Sequence, residues 1–401
     1  MPYAADTTRD AFGRFRTSEA VTLFDSQSQY DAMGLFWEHA LANNGTAAHR
    51  PDEASVRLAI TDDADSAAVR QTREYFRYQP GKSQFILTTF CMGPPVAGAR
   101  REVGYGDAEN GVFLREENGA VSMVLRSKAT GSVVETVVPQ AEWNAETSVG
   151  SSLEHTSLDL TKTQIFGIDL EWLGVGRVRT FFVIGGNIFY AHCFQHANVN
   201  TIVYMTTANL PVRYSIAANT TAAGAAYLDA ICCSVSSEGG FERGRGIPFA
   251  AGRGATLLGI TTRRPILSIR PKLTLNGITN RLTALLQSFD LIAEDKGVLV
   301  ELVYNGVLTS ASFASVDDES AFEADTAATA ITGGTVLQQS LLAAASQGSG
   351  LAPGQASLGI LSRLPLVVNM AGDDRTVLSV VATAIGGTSN VAAAMNWQEL
   401  H

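Results

Sequence analysis

Short runs of alternating apolar and polar residues, separated by turn residues, follow one another along most of the chain. The pattern is densest within residues 55–236, where residues 111–116 and 120–126 flank the pair Asn118-Gly119. An Asn-Gly pair between two such runs is typical of a tight β-hairpin. Many short strands with no helices between them predict an all-β fold of antiparallel sheets: a jelly-roll or concanavalin-like β-sandwich followed by a smaller β-sandwich.

Composition divides the chain into four segments. Residues 1–50 are predicted to hold an N-terminal arm and the first strand, and residues 51–240 the main β-sandwich. Residues 241–259 are rich in glycine with interspersed arginines, which predicts a linker. Residues 260–401 are predicted to form the C-terminal β-sandwich, in which residues 298–313 give the clearest hairpin pattern of the chain.

A few segments depart from the plain strand pattern. Residues 65–74 form the main helix candidate, and residues 33–43 predict a short helix or a loop over the core. Residues 336–345 are apolar and alanine-rich, so their pattern leaves helix and strand open. Residues 366–370 and 377–384 predict further strands of the second domain.

Residues 70–90 combine five aromatic with four basic side chains around the pair Pro80-Gly81. The Pro-Gly pair predicts a turn, and the β-branched and aromatic run at 85–90 predicts a buried central strand. The string Pro-Gly-Lys-Ser invites comparison with a phosphate-binding P-loop. However, the first glycine of that motif would fall at Phe76, and a strand follows where the motif needs a helix, so we reject a nucleotide site.

The charge balance bears on the basic residues of this stretch. The chain carries 29 basic and 39 acidic residues, a net charge of -10, which argues against a phosphate backbone as the main partner. We therefore expect no nucleic acid as partner. Arg77 and Lys82 are predicted instead to contact a neighbouring protein chain.

Composition narrows the class of protein further. Only 17% of the 401 residues are charged, which is typical of surfaces largely covered by partners. We find neither a signal peptide nor an apolar run of 18 residues, so we expect no membrane association. The four cysteines, Cys91, Cys193, Cys232 and Cys233, lack CxxC spacing and are expected to be buried thiols formed in a reducing cytoplasm.

Asp169 and Glu171 are the best candidates for site chemistry. On a strand their side chains share one face, and Trp172 follows directly. Jelly-roll glycoside hydrolases of the laminarinase-like class carry three acidic residues at alternate strand positions, but here the first of these positions is Gly167. We therefore predict that the chain is not an enzyme and that Asp169, Glu171 and Trp172 face a glycan.

The six histidines give no convincing metal site. His192 and His196 are four residues apart, which suits zinc on a helix, but the local pattern predicts a strand. We expect neither a metal nor a cofactor, and no catalytic residue is assigned.

Several strings of the sequence resemble those of a family of tailed-bacteriophage virion proteins. They are residues 11–20 (AFGRFRTSEA) running into 21–26 (VTLFDS), residues 70–72 (RQT) with 78–84 (YQPGKSQ), residues 266–272 (ILSIRPK) with Phe289, and residues 299–306 (LVELVYNG). These strings are scattered over most of the chain and include no catalytic motif.

The resemblance implies a structural component of a phage particle: a tail fibre, spike, collar or head-decoration protein located on the virion. Such proteins usually form homotrimers, so the expected partners are other copies of the chain and other virion proteins. Residues 2–16 would then dock into the particle, with Phe12, Arg14, Phe15 and Arg16 as assembly contacts. The alternative is a receptor- or carbohydrate-binding module of the adsorption apparatus, with a host-surface glycan as partner.

Overall fold

The computed structural model describes residues 18–144, 158–219, 222, 224–240, 246–254, 256–344 and 364–400. In these residues regular structure is almost entirely β. The exceptions are two single-turn 3-10 helices, Pro51–Glu53 and Gln140–Glu142. The chain divides into two compact units, Met1–Thr72 with Phe76–Glu242 and Arg73–Tyr75 with Arg243–His401.

The strands of the first unit are β1 (Ala20–Gln27), β2 (Trp37–Ala42), β3 (Thr46–Arg50), β4 (Ser55–Ile60), β5 (Ala67–Thr72), β6 (Ser83–Cys91), β7 (Ala99–Gly106), β8 (Gly111–Glu117), β9 (Ala120–Ser127), β10 (Val134–Pro139), β11 (Gln164–Leu170), β12 (Val178–Ile184), β13 (Asn187–Phe194), β14 (Val212–Ala218) and β15 (Ala226–Glu238). They form an eight-stranded sheet in the order β13-β12-β11-β6-β15-β4-β3, with β1 also on β15, and a seven-stranded sheet in the order β10-β9-β8-β7-β14-β5-β2.

The two sheets of the first unit enclose one hydrophobic core. All their pairings are antiparallel, as in β6 with β11 and β7 with β8. The period of two along each strand produces this arrangement, because every second side chain points inward. The predicted fold class, an antiparallel jelly-roll or concanavalin-like β-sandwich followed by a smaller β-sandwich, is confirmed.

Strand β6 is central to the larger sheet, as its sequence predicts, and lies between β11 and β15. Its burial alternates: Ile86 and Phe90 are fully buried in the core, whereas Phe85 and Leu87 are half-buried on the opposite side. We call that side of β6, β11, β12 and β13, which points away from the core, the outer face.

Because Phe85 lies on the outer face, replacing it with alanine is expected to cost only about 1–2 kcal/mol, below the roughly 3–5 kcal/mol typical of a fully buried phenylalanine. Urea denaturation checks this. Phe90→Ala, on the core side of the same strand, is the control and should lose clearly more. Equal losses in the two variants would contradict the assignment of faces.

Two segments predicted as helical or irregular are strands. Residues 65–74 contain β5, which pairs with β14 and β2, so the helix prediction is wrong. Residues 33–43 contain β2, which pairs with β5 along its whole length. In both cases pairing with strands distant in sequence outweighs the local pattern.

The strands of the second unit are β16 (Ile247–Gly252), β17 (Leu258–Ile260), β18 (Arg264–Pro271), β19 (Thr274–Leu275), β20 (Ile278–Thr279), β21 (Thr283–Glu294), β22 (Val298–Tyr304), β23 (Val307–Thr309), β24 (Ala314–Ser315), β25 (Phe322–Asp325), β26 (Ala330–Thr332), β27 (Thr335–Leu342), β28 (Leu378–Ala384) and β29 (Ser389–Leu400). The larger sheets are six-stranded, in the order β24-β25-β18-β28-β22-β27, and four-stranded, with β16, β17 and β21 all on β29. Side chains of both sheets, including Trp397, form one core.

The segment predicted as a glycine-rich linker, residues 241–259, contains β16 and the first part of β17, and both strands pair with β29. Phe249 and Ala251 alternate inward from β16 and pack against the core of the second unit. Gly252 and Gly259 lie within these strands, so the glycine content does not mark a linker here.

The strong hairpin pattern at residues 298–313 is also misleading, since β22 pairs with β27 and β28 while β23 pairs with β26. Asn305 exchanges hydrogen bonds with Val377, the residue directly before β28. The turn after β22 is therefore held by the start of β28 rather than by β23. Residues 336–342 of the alanine-rich segment lie in strand β27, and residues 366–370 contribute only the isolated bridge of Val368 to Arg375.

The described residues contain no helix long and apolar enough to cross a membrane. All four cysteines are free thiols. Cys193 and Cys233 are buried as predicted, whereas Cys91 and Cys232 are only half-buried because they lie on the outer side of their strands.

Candidate functional site

Asp169 and Glu171 line one surface pocket of the first unit, about 290 Å³ in volume. The pocket lies at the end of the outer face where β6 and β12 begin and β11 ends, because the antiparallel register places Asp169 opposite both Phe85 and Arg179. We call it the charged pocket. Its charged lining residues are Lys82, Asp169, Glu171, Arg177, Arg179 and Glu238.

The carboxylate of Asp169 is held by Arg179 on the neighbouring strand. Both Nε and Nη2 of Arg179 donate hydrogen bonds to Oδ2 of Asp169, the first at 2.9 Å. The guanidinium also lies over the ring of Tyr190, 4.8 Å from its centroid. Ion pairing and ring packing therefore fix one carboxylate and one guanidinium side by side on the outer face.

Glu171 differs from Asp169 in its surroundings. Its side chain is exposed, and within the described part of the chain its carboxylate has neither a hydrogen-bond nor an ion-pair partner. The side chain runs past Gly176, where an added Cβ would lie 2.9 Å from Cγ of Glu171. Glu171 therefore supplies a solvated acceptor at the rim of the pocket.

The backbone that carries Glu171 is held in place by a buried aromatic pair. The hydroxyl of Tyr204 donates to the Glu171 carbonyl at 3.1 Å, and Nδ1 of His196 donates to the Gly176 carbonyl at 2.6 Å. The rings of His196 and Tyr204 stack with centroids 3.9 Å apart. Both ends of the turn between β11 and β12 are thereby fixed to the same pair of rings.

Trp172, predicted to face a glycan, does not line the pocket. Its indole is half-buried against the core, where it meets Tyr78 edge to face at 5.9 Å. Its Nε1 donates to the Met205 carbonyl at 3.3 Å. Glu171 and Trp172 follow directly after the end of β11, and there the indole packs against the core while Glu171 lines the pocket.

The residues predicted as assembly contacts fall in different places. Lys82 lines the charged pocket, where its Nζ donates to the Gly240 carbonyl at 3.2 Å. Arg77 is half-buried, and its carbonyl accepts a hydrogen bond from Gln84 at 3.1 Å. The remaining predicted contacts, Phe12, Arg14, Phe15 and Arg16, lie outside the described residues.

Sequence reasoning missed the aromatic floor beside the pocket. Phe181 on β12 stacks on Phe85 at 5.3 Å and meets Tyr190 edge to face at 5.7 Å, so three rings cross the outer face. Gly167 makes room for them, because a Cβ on this residue would lie 2.0 Å from Cζ of Phe181. The position that would hold a third acidic side chain is thus filled by an aromatic ring.

Arg177, Arg179, Tyr78 and Glu238 also line the pocket and were not predicted. The signal for the two arginines was weak but present: they alternate at the start of a strand that directly follows Asp169 and Glu171. Glu238 comes from the end of β15 and carried no local signal.

The histidine pair does not form a metal site. His192 lies against Phe194, and its Nδ1 accepts the N–H of Asn144, whereas His196 contacts Gly176 and Tyr204. Among the described residues no cluster of three or more His, Cys, Asp or Glu side chains is placed to hold an ion.

Acidification is expected to destabilise the first unit in part through His196. Burial lowers the pKa of His196 below its ordinary 6.5, with the hydrogen bond to Gly176 opposing the shift. The folded state therefore binds the proton less readily than the unfolded chain. The stability contributed by neutral His196 is present above about pH 6.5 and is lost as the pH falls through the lower folded-state pKa.

Urea denaturation at about pH 7.5 and pH 5.5 tests the contribution of His196. His196→Gln should lose less stability between the two values than the wild type does. His192, whose pKa burial also lowers, remains in both proteins and contributes equally. The same loss in both proteins would contradict the prediction.

No protein-family model matches the chain, and neither does any curated protein. Solved structures do. An endo-β-1,4-glucuronan lyase from Trichoderma reesei is 10% identical, with a TM-score of 0.37, over 54% of this chain and 95% of the lyase. A β-glucanase from Bacillus licheniformis is 10% identical, with a TM-score of 0.34, over 55% of this chain and 99% of the glucanase. Peanut lectin is 12% identical, with a TM-score of 0.32, over 55% of this chain and 97% of the lectin.

These matches overturn the sequence-based prediction that the chain is not an enzyme. That prediction relied on the missing carboxylate at Gly167, yet the similar structures include both a polysaccharide lyase and a glucanase. At identities near 10% the likeness concerns the fold, so the activities of those proteins do not carry over to this chain.

Proposed function

We propose that the first unit binds a carbohydrate in the charged pocket. The observation that carries this proposal is the arrangement around Asp169. A fixed Asp169–Arg179 pair and the solvated carboxylate of Glu171 occupy one end of the outer face, and the half-buried rings of Phe85 and Tyr190 lie beside them. Sugar rings offer hydroxyl groups that pair with carboxylates and guanidinium groups, and apolar C–H faces that pack on aromatic rings.

Glu171 is the residue on which binding should depend most directly, because its carboxylate is exposed in the pocket and supports no other described contact. Glu171→Gln keeps the shape of the side chain but replaces a charged acceptor with a neutral amide. A lost charge-assisted hydrogen bond corresponds to roughly 1.5–3 kcal/mol, or at least a tenfold loss of affinity.

A glycan array identifies the ligand, and calorimetry with Glu171→Gln tests the site. Glu319→Gln, an equally exposed substitution in the second unit, is the matched control and should bind like the wild type. If no glycan binds, or if both variants bind like the wild type, the charged pocket is not a carbohydrate site.

Turnover is tested in the same experiment by incubating the protein with a panel of polysaccharides. New reducing ends indicate cleavage of the chain, and ultraviolet absorbance of unsaturated products separates elimination from hydrolysis. Activity that disappears in Glu171→Gln would make Glu171 part of a catalytic site and the bound glycan its substrate.

A second candidate function is a structural role in a tailed-bacteriophage particle. The glycan site would then bind the host surface during adsorption of that particle. The resemblance of residues 11–26, 78–84 and 266–272 to phage virion proteins favours it. The expected assembly is a homo-oligomer, most simply a trimer, in contact with other virion proteins. Light scattering on the purified protein tests the oligomer, and antibody labelling of virions tests the location. A monomer at high concentration together with unlabelled particles would count against this role.

A further inference from the structure

A second pocket lies on the same outer face as the charged pocket, at the opposite ends of the same strands. It has a volume of about 520 Å³, and its lining includes Thr89 of β6, Ile165 of β11 and Val183 of β12. We call it the distal pocket. The register pairs Ile165 with Thr89 just as it pairs Asp169 with Phe85, so the two pockets mark the two ends of one stretch of sheet.

The separation of the two pockets follows from strand geometry. Ile165 and Asp169 are four residues apart on β11, and a strand rises about 3.3 Å per residue, so their backbones are about 13 Å apart. Gly167, Phe181 and Leu87 lie between them on the outer face. This span exceeds a single sugar ring. Its middle is apolar, and the space at Gly167 is filled by the buried ring of Phe181.

The charges of the two pockets constrain the ligand. The charged pocket holds three basic and three acidic lining residues. The charged residues that line the distal pocket are Asp159 and Lys162. Neither pocket therefore has an excess of the basic charge that a polyanionic chain requires.

We propose that the binding site is extended and takes an uncharged linear oligosaccharide, which runs along β6, β11 and β12 from the charged pocket to the distal pocket. This inference rests on the proposed carbohydrate-binding function and adds the length and charge of the ligand. One end of the oligosaccharide contacts the carboxylates and guanidinium groups beside Asp169. Its middle packs on the half-buried side chains of Phe85 and Leu87, which lie beside the fully buried ring of Phe181. Its other end occupies the space beside Ile165.

Chain length provides the test. Calorimetry is performed with uncharged gluco-, manno-, galacto- and xylo-oligosaccharides of two and six residues, and with hexameric oligogalacturonate as the charged probe. For the sugar that binds, the hexamer should bind at least tenfold more tightly than the dimer. Ile165→Arg, which fills the distal pocket, should remove that advantage. Val137→Arg, an exposed aliphatic position on β10 of the other sheet, is the matched control.

The outcomes separate the two proposals. If the dimer and the hexamer bind with equal affinity and Glu171→Gln weakens both, the charged pocket remains a carbohydrate site and the extended site is overturned. Tighter binding of oligogalacturonate than of every uncharged hexamer overturns the assignment of charge. A hexamer affinity unaffected by Ile165→Arg removes the distal pocket from the site. Failure of every probe to bind, or indifference of binding to Glu171→Gln, defeats the proposed function and this inference with it.

Discussion

Replacing Arg101 with methionine is expected to lower the free energy of unfolding of the first unit by about 3–5 kcal/mol. Arg101 lies on β7 of the seven-stranded sheet, and its side chain is fully buried. Its Nη1 pairs with the carboxylate of Glu116 on β8. Its Nε donates to the carbonyl of Tyr227 on β15, 2.9 Å away in the other sheet, so one guanidinium connects the two layers.

The expected loss is large because of what the methionine leaves behind. Glu116 is 4% exposed, and without Arg101 its negative charge would remain in the interior without its counterion. The carbonyls of Tyr227 and Pro94 would each lose a donor. Removing one partner of a buried ion pair costs far more than the intact pair contributes, because an isolated buried charge has no compensating interaction.

The double variant Arg101→Met with Glu116→Gln separates the charge from the packing. Glutamine keeps an oxygen that accepts the N–H of Gly119, which Glu116 now binds at 2.6 Å, but carries no charge. The double variant should therefore be clearly more stable than Arg101→Met alone. Urea denaturation of the four proteins of this cycle provides the measurement. If the free energy of unfolding of Arg101→Met lies within about 1 kcal/mol of the wild-type value, the pair is not buried as described.

The parts of the fold that could be predicted are those set by neighbouring residues. The hairpin of β8 and β9 was readable because Asn118 and Gly119 both have positive φ, 56° and 83°, as a tight turn between twisted strands requires. Asn305 has the same kind of conformation, with φ of 54°, yet β22 and β23 do not pair. A turn sequence fixes the local bend, and tertiary pairing decides which strand follows.

In the candidate site, too, only the residues set by local sequence could be predicted. Asp169 and Glu171 were found because a strand places alternate residues on one side, and that rule needs no tertiary information. Lys82, just before β6, and Glu238, at the end of β15, lie in the same pocket but are far apart in sequence, so only the order of the strands in the sheet brings them to Asp169. The aromatic floor was missed for the same reason, since Phe85, Phe181 and Tyr190 sit on three different strands.

Gly167→Val is expected to weaken glycan binding by at least tenfold and to destabilise the first unit by about 3 kcal/mol, at the upper end of the range for overpacking. By intrinsic preference alone the substitution should help, because valine favours strands and glycine weakens them. The packing opposes that preference, since a Cβ at this position would lie 2.0 Å from Cζ of Phe181. The Phe181 ring must therefore move, and it carries the contacts to Phe85 and Tyr190 with it.

A second-site change tests this cause directly. Phe181→Ala in the Gly167→Val background removes the ring that the new side chain meets, so the double variant should be less destabilised than the sum of the two single losses. Calorimetry on the glycan that binds the wild type and urea denaturation of all four proteins give both readouts. Additive losses would mean that Gly167 and Phe181 act independently. In that case the absence of a third carboxylate on β11 would need an explanation other than the space that Phe181 occupies, and the aromatic floor would lose its structural basis.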